Sequence, residues 1–162
     1  MTHDAPLSLF ETEVLPEWLD LNGHLNVTYY VRAFDLATDA FMDLVGMGWD
    51  YTRSEKHSIF MLEVHVNYLA EVGKGDRLRF DTRLLDYDAK RVHIFHEMFH
   101  AGEGYMAATS EWLALHVDLE TRRSTPIPDF ARERLGAILS AHERLARPQQ
   151  VGERMGIRRK IA

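Results

Sequence analysis

Asp20, Asn22, His24 and Asn26 occupy alternate positions in the run Trp18-Leu19-Asp20-Leu21-Asn22-Gly23-His24-Leu25-Asn26. A carboxylate, an imidazole and two carboxamides so close together suit acyl transfer. The carboxylate serves as base or nucleophile, the imidazole moves a proton or orients its neighbour, and the amides hold an oxyanion. The same run also fits a polar loop that does no more than cap a helix, and the residues alone leave both readings open.

The residues C-terminal to this run sharpen the chemical reading. Val27, Tyr30, Val31, Phe34, Ala37, Phe41, Leu44 and Val45 recur at three- and four-residue steps, which predicts a helix over 26–45 with one wide apolar face. Asn26 is a suitable N-cap, and Gly46 and Gly48 supply a stop. The polar loop therefore feeds a helix N-terminus, where unpaired N–H groups and the positive dipole end favour developing negative charge.

So long a helix in so short a chain needs a sheet to lie against. In 58–68 the even positions Phe60, Leu62, Val64, Val66 and Tyr68 are apolar, and Glu63, His65 and Asn67 point the other way, the alternation of a half-buried strand. Residues 76–85 repeat it, with Leu78, Phe80 and Leu84 inward and Arg77, Arg79, Asp81 and Arg83 outward. Two more strands, 91–100 and 104–118, flank the turn at Ala101-Gly102-Glu103-Gly104, and a first strand is predicted near 7–15. Pro126 and Pro128 close this region, and Asp129 is placed to cap a final amphipathic helix. One long helix against an antiparallel meander is an α+β plan.

Composition narrows the function classes. The 162 residues fit one domain, read as 1–145, with a basic tail at 146–162. The tail carries five basic residues against one acidic, a net +4 that leaves −10 for the rest of a chain whose total is −6. It reads as a solvated extension, with a ligand's phosphates as the alternative. The overall acidity argues against nucleic acid as a partner. No apolar run approaches the roughly 20 residues of a membrane helix. The start, MTHDAPLSLFETE, lacks the basic and apolar regions of a signal peptide, so a cytoplasmic protein is expected. Having no cysteine, the chain has no disulfide, zinc–thiolate site or cysteine nucleophile.

The run Asp20-Leu-Asn22-Gly-His24-Leu-Asn26-Val-Thr-Tyr-Tyr30 resembles the D-x-N-x-H-v-N-N-x-x-Y motif of hotdog-fold acyl-thioesterases, and stands where that family has it, between first strand and central helix. Asn67-Tyr68-Leu69-Ala70-Glu71-Val72-Gly73-Lys74-Gly75-Asp76 is similar to the family's passage from second to third strand. Together the matches span roughly residues 7–118. The resemblance implies a hotdog fold, a sheet wrapped around the 26–45 helix, and an acyl-CoA thioesterase without cofactor, coenzyme A being part of the substrate. It also implies a homo-oligomer, dimer or tetramer, with active sites between subunits. Asp20 becomes the principal catalytic carboxylate, with Asn22 and His24 beside it. Val27 stands where the family often has a second Asn, leaving its backbone N–H in place of a side-chain amide.

Substrate contacts are expected from Trp18, Asn26, Val27 and Tyr30, and from Glu63, His65 and Asn67, which the family brings toward the partner's site. Lys90 and Arg91 are candidates for the phosphates of coenzyme A, against a plain solubilising role. His93, His96 and His100 do not form a metal set, because His93 and His96 fall on opposite strand faces. A hotdog hydratase or dehydratase fits less well: no proline comes after Asn22, and the His-x-x-x-F-Pro-Gly signature is missing. A non-catalytic acyl-thioester binding module is the other alternative, disfavoured by the presence of Asp20 and His24.

The catalytic loop and the stretch Asp86–His93 are also similar to thioesterases of carnitine and betaine breakdown. Aromatic side chains flank the loop, with Trp18 before it and Tyr29 and Tyr30 after it, and ring faces attract quaternary ammonium groups. A cationic acyl group and a small-to-medium neutral one are the two expectations for the substrate.

Overall fold

The computed structural model describes residues 5–157. Strand β1 (Leu7–Glu13) leads through a 3₁₀ turn at Pro16–Trp18 into the long helix α1 (Val27–Val45) and the short helix α2 (Trp49–Glu55). Next come strands β2 (His57–Tyr68), β3 (Arg77–Tyr87), β4 (Arg91–His100) and β5 (Met106–Asp118), then the two-residue β6 (Arg123–Ser124) and helix α3 (Asp129–His142). The sheet is antiparallel in the order β1-β3-β4-β5-β2, with β6 beside β5, so β1 and β2 are its edges. This is the hotdog arrangement, an α+β fold.

Helix α1 begins where its sequence requires. The Asn26 side chain accepts the Thr28 N–H at 2.9 Å, a cap worth about 1 kcal/mol. Gly46, at φ 83°, ends the helix in the left-handed conformation that glycine adopts without strain. Tyr30, Ala33, Phe34, Ala37, Phe41 and Val45 are buried, and Phe34 meets Phe80 of β3 edge to face at 5.6 Å. Val27 and Val31 project outward instead of joining this stripe. Beneath the helix, His96 is fully buried, with Thr38 and Thr82 hydroxyls each 3.0 Å from its two ring nitrogens. His93 lies on the opposite face, 2.8 Å from Glu111.

Strand β2 departs from simple alternation. A bulge between Met61 and Glu63 shifts its register against β5, and an inserted residue reverses which parity faces the core. Ile59 and Met61 pack inward before the bulge and Val66 after it. Phe60 and Leu62, expected inside, are exposed, as are Val64 and Tyr68. Helix α2 is absent from the sequence reading: it has no buried residue, so no apolar periodicity announces it. In α3, Pro128 is the N-cap and Asp129 the first helical residue, one position from the expected cap.

The start of the C-terminal segment is hydrogen-bonded to β3 and β5. Arg83 donates to the Ala146 carbonyl at 3.0 Å, and the Gly152 N–H donates to Glu111 at 2.8 Å. Arg158, Arg159 and Lys160 lie outside the described residues. Among the described residues no helix is long and apolar enough to cross a membrane.

Candidate active site

The loop from Asp20 to Asn26 is a tight excursion closed by its own backbone. The Asp20 N–H donates to the His24 carbonyl at 2.9 Å and the Gly23 N–H to the Asp20 carbonyl at 3.1 Å. Gly23, at φ 81°, makes the reversal possible. The Asp20 carboxylate is thereby turned onto donors of the same loop. Oδ1 accepts the N–H groups of Asn22 at 2.8 Å and His24 at 3.3 Å, and Oδ2 accepts the Asn22 carboxamide at 3.3 Å. These bonds, the Asn22 backbone N–H first, hold the Asp20 carboxyl below its ordinary value of 3.8.

The second sequence motif is the loop's support. Leu25 donates to the Val72 carbonyl at 2.9 Å, and His24 pairs with Gly73 as a β-bridge. Asp76 fixes that segment by accepting the Gly73 N–H at 2.7 Å. The two motifs, far apart in sequence, thus form one unit at the N-terminus of α1. Between them is a cleft of about 370 Å³ lined by Asp20, Asn22, His24, Leu25, Val27, Tyr30 and the segment Tyr68–Glu71. The Val27 N–H, at the first helical position, makes no hydrogen bond among the described residues. A free donor at a helix N-terminus, on a residue lining the same cleft as an ionised carboxylate, suits the stabilising of an oxyanion.

The structure brings Asp20, Asn22, His24, Val27 and Tyr30 into this cleft. The other candidates stand elsewhere. Asn26 spends its side chain on the helix cap. Trp18 is buried and stacked on Tyr29, centroids 5.6 Å apart, outside the cleft lining. Glu63 and His65 line a separate cleft on the outer face of the sheet with His93, Glu111 and the segment Gly152–Arg154. Asn67, on the same outward parity, does not line the Asp20 cleft. Lys90 and Arg91 lie at the opposite end of the strands, Lys90 on Ser124 and Arg91 on Asp88 at 2.6 and 2.8 Å. The Arg91 side chain, followed by the backbone N–H groups of Lys90 and Arg91, lowers the Asp88 carboxyl to about 2. Among the described residues no group of three or more metal-type side chains could hold an ion.

A larger cleft, about 830 Å³, opens at the other end of α1, where the Tyr51 hydroxyl lies 2.9 Å from His116 and 3.4 Å from His57. No catalytic-loop residue lines it. Sequence reasoning missed one residue of the Asp20 cleft that carries charge: Glu71, whose carboxylate lies 3.4 Å from His24 Nε2. It stands inside the second motif, at a position the strand pattern gives no reason to single out.

Residues 14–135 match the family model of the thioesterase-like superfamily. The chain belongs to that superfamily. It is an acyl-CoA thioesterase. The betainyl-CoA thioesterase of Pseudomonas aeruginosa is 42% identical over 151 residues, 93% of this chain and 95% of that one. The L-carnitine dehydrogenase/betainyl-CoA thioesterase of Agrobacterium fabrum is 38% identical over 96% of this chain, which spans 31% of that longer protein. Among solved structures, a Staphylococcus aureus protein in complex with CoA superposes with a TM-score of 0.88 over 98% of this chain and all of its own, at 24% identity. A Pseudomonas putida structure superposes at 0.83 over 96% of this chain and 99% of its own, with 34% identity.

Proposed function

We propose that this thioesterase hydrolyses betainyl-CoA to glycine betaine and CoA, with Asp20 as the catalytic carboxylate. The observation that carries the mechanism is that the ionised Asp20 and Val27, whose N–H is unpaired among the described residues, line one cleft. The substrate assignment is supported by the 42% identity to a betainyl-CoA thioesterase along nearly the whole of both chains.

In this reading the thioester carbonyl enters the cleft with its oxygen toward the N-terminus of α1. Asp20 takes a proton from a water molecule, whose oxygen attacks the carbonyl carbon. The oxyanion so formed is met by the Val27 N–H and the helix dipole. The C–S bond then breaks, the CoA thiolate takes the proton back from Asp20, and the acid gives its own proton to solvent and leaves as a carboxylate. Asn22 holds Asp20 in place, and His24 orients the loop through its backbone N–H and bridge to Gly73.

The active unit is a homodimer joined through β2. That strand is a sheet edge 12 residues long, with Phe60, Leu62, Val64 and Tyr68 exposed along it. A long apolar edge invites pairing with a second copy, and the catalytic cleft reaches this edge at Tyr68. The substrate is tested by thiol release from betainyl-CoA and from 3,3-dimethylbutyryl-CoA, its neutral isostere with carbon in place of nitrogen. A higher kcat/KM for the cationic ester is expected, and equal or reversed values refute the substrate assignment.

A further inference from the structure

We infer that Glu71, with the rings of Tyr30 and Tyr68, is the receptor for the acyl group's quaternary ammonium. The inference rests on the betainyl-CoA reading and names the side chains that would read the charge.

The covalent structure of the substrate decides where the receptor has to be. In betainyl-CoA the cationic nitrogen is bonded to the carbon next to the thioester carbonyl, so it stays close to the carboxylate that acts there. Only groups lining the catalytic cleft qualify. Trp18 and Tyr29 are stacked on each other, and Trp18 is outside the cleft. The Trp49–Asp39 pair, joined at 3.4 Å, lines a groove between α1, α2 and β2 that contains no catalytic-loop residue.

The cleft itself holds two rings and a second carboxylate. Tyr30 and Tyr68 meet edge to face with centroids 5.1 Å apart. The Tyr30 hydroxyl donates to the Ala70 carbonyl at 3.3 Å, which ties its ring to the backbone next to Glu71. Glu71 is held in turn, its carbonyl accepting the Tyr105 hydroxyl at 3.0 Å. Its side chain is 77% exposed, and His24 at 3.4 Å is its one ion-pair partner among the described residues. Among the described residues no lysine or arginine lines the cleft. Aromatic walls and a carboxylate without a strong counter-ion are the chemistry that recognises a quaternary ammonium. Asp20 is assigned in the proposed mechanism to the attacking water, which leaves Glu71 as the other carboxylate lining the cleft.

The competing role for Glu71 is to position His24. The two roles differ in what the substrate's charge does, so the test uses both esters. Wild type, Glu71→Gln and Glu71→Asp are assayed on betainyl-CoA and 3,3-dimethylbutyryl-CoA, with thermal midpoints checked for each. Exposure of the side chain means that the fold should survive both substitutions. Glu71→Gln should lose about tenfold or more in kcat/KM on betainyl-CoA, chiefly through KM, and less than about threefold on the neutral ester. Glu71→Asp should recover part of the loss on the cationic ester alone. An equal loss on both esters, or none on betainyl-CoA, overturns the inference. Failure of the betaine reading shows separately, in the wild-type comparison: no preference for the cation there removes the substrate, whatever the variants do.

Discussion

The Asp20 carboxylate and the Asn22 backbone N–H are 2.8 Å apart, and this bond is the largest cause of the lowered carboxyl pKa. Asp20 is therefore ionised down through its ordinary value of 3.8. A catalytic carboxylate is lost from the rate law only when protonated. For protein that remains folded, kcat/KM should show no acid limb above that value. A limb near neutrality in folded enzyme would assign the essential ionisation to another group.

His96 predicts a different acid response, in stability rather than rate. Burial holds its folded-state pKa down at about 3, while the unfolded chain protonates at its ordinary 6.5. The stability conferred by the neutral ring is thus fully present above 6.5 and is lost as pH falls toward about 3. One such group contributes a slope of about 1.4 kcal/mol per pH unit, or about 2 kcal/mol between pH 6.5 and 5. Denaturant titrations of wild type and His96→Gln should show that slope only in the wild type. Parallel pH profiles would contradict the account.

The exposed apolar edge of β2 predicts a dimer or larger at micromolar concentration in light scattering. Leu62, 53% exposed at the bulge, is the place to disturb it. Leu62→Asp should shift the protein toward monomer and lower activity with it. A fully active wild-type monomer would remove the dimer from the mechanism.

Much of the fold is legible from residues alone, and the exceptions have physical reasons. Helix α1 can be read nearly to the residue, because Asn26 and Gly46 mark its ends and Phe34, Ala37 and Phe41 its buried face. The order of strands and the Asp20 loop emerge from local pattern in the same way. The bulge in β2 is not visible, since an alternating run reads the same with or without an inserted residue. That single insertion puts Phe60 and Leu62 on the surface. Glu71 is hidden for another reason: its place beside His24 depends on a bridge between residues 24 and 73, which no local pattern encodes.

Water activation by Asp20 predicts where solvent oxygen goes. In a single turnover in H₂¹⁸O, a general base places the label in the released acid. Direct attack by Asp20, with the resulting anhydride hydrolysed at the Asp20 carbonyl carbon, would instead place unlabelled oxygen in the first product and the label in Asp20 itself. The general-base mechanism requires label in the product and none in the tryptic peptide that carries Asp20.

The most direct test is turnover by Asp20→Asn on betainyl-CoA, read as release of free thiol. The substitution keeps the side chain's size and removes its charge, and the loop is closed chiefly by backbone hydrogen bonds that remain. A catalytic base of this kind contributes about 10²–10⁴ in rate. The account predicts a fall of that size in kcat, with the thermal midpoint and oligomeric state of the wild type. Turnover within about threefold of wild type, in a folded variant, would contradict it.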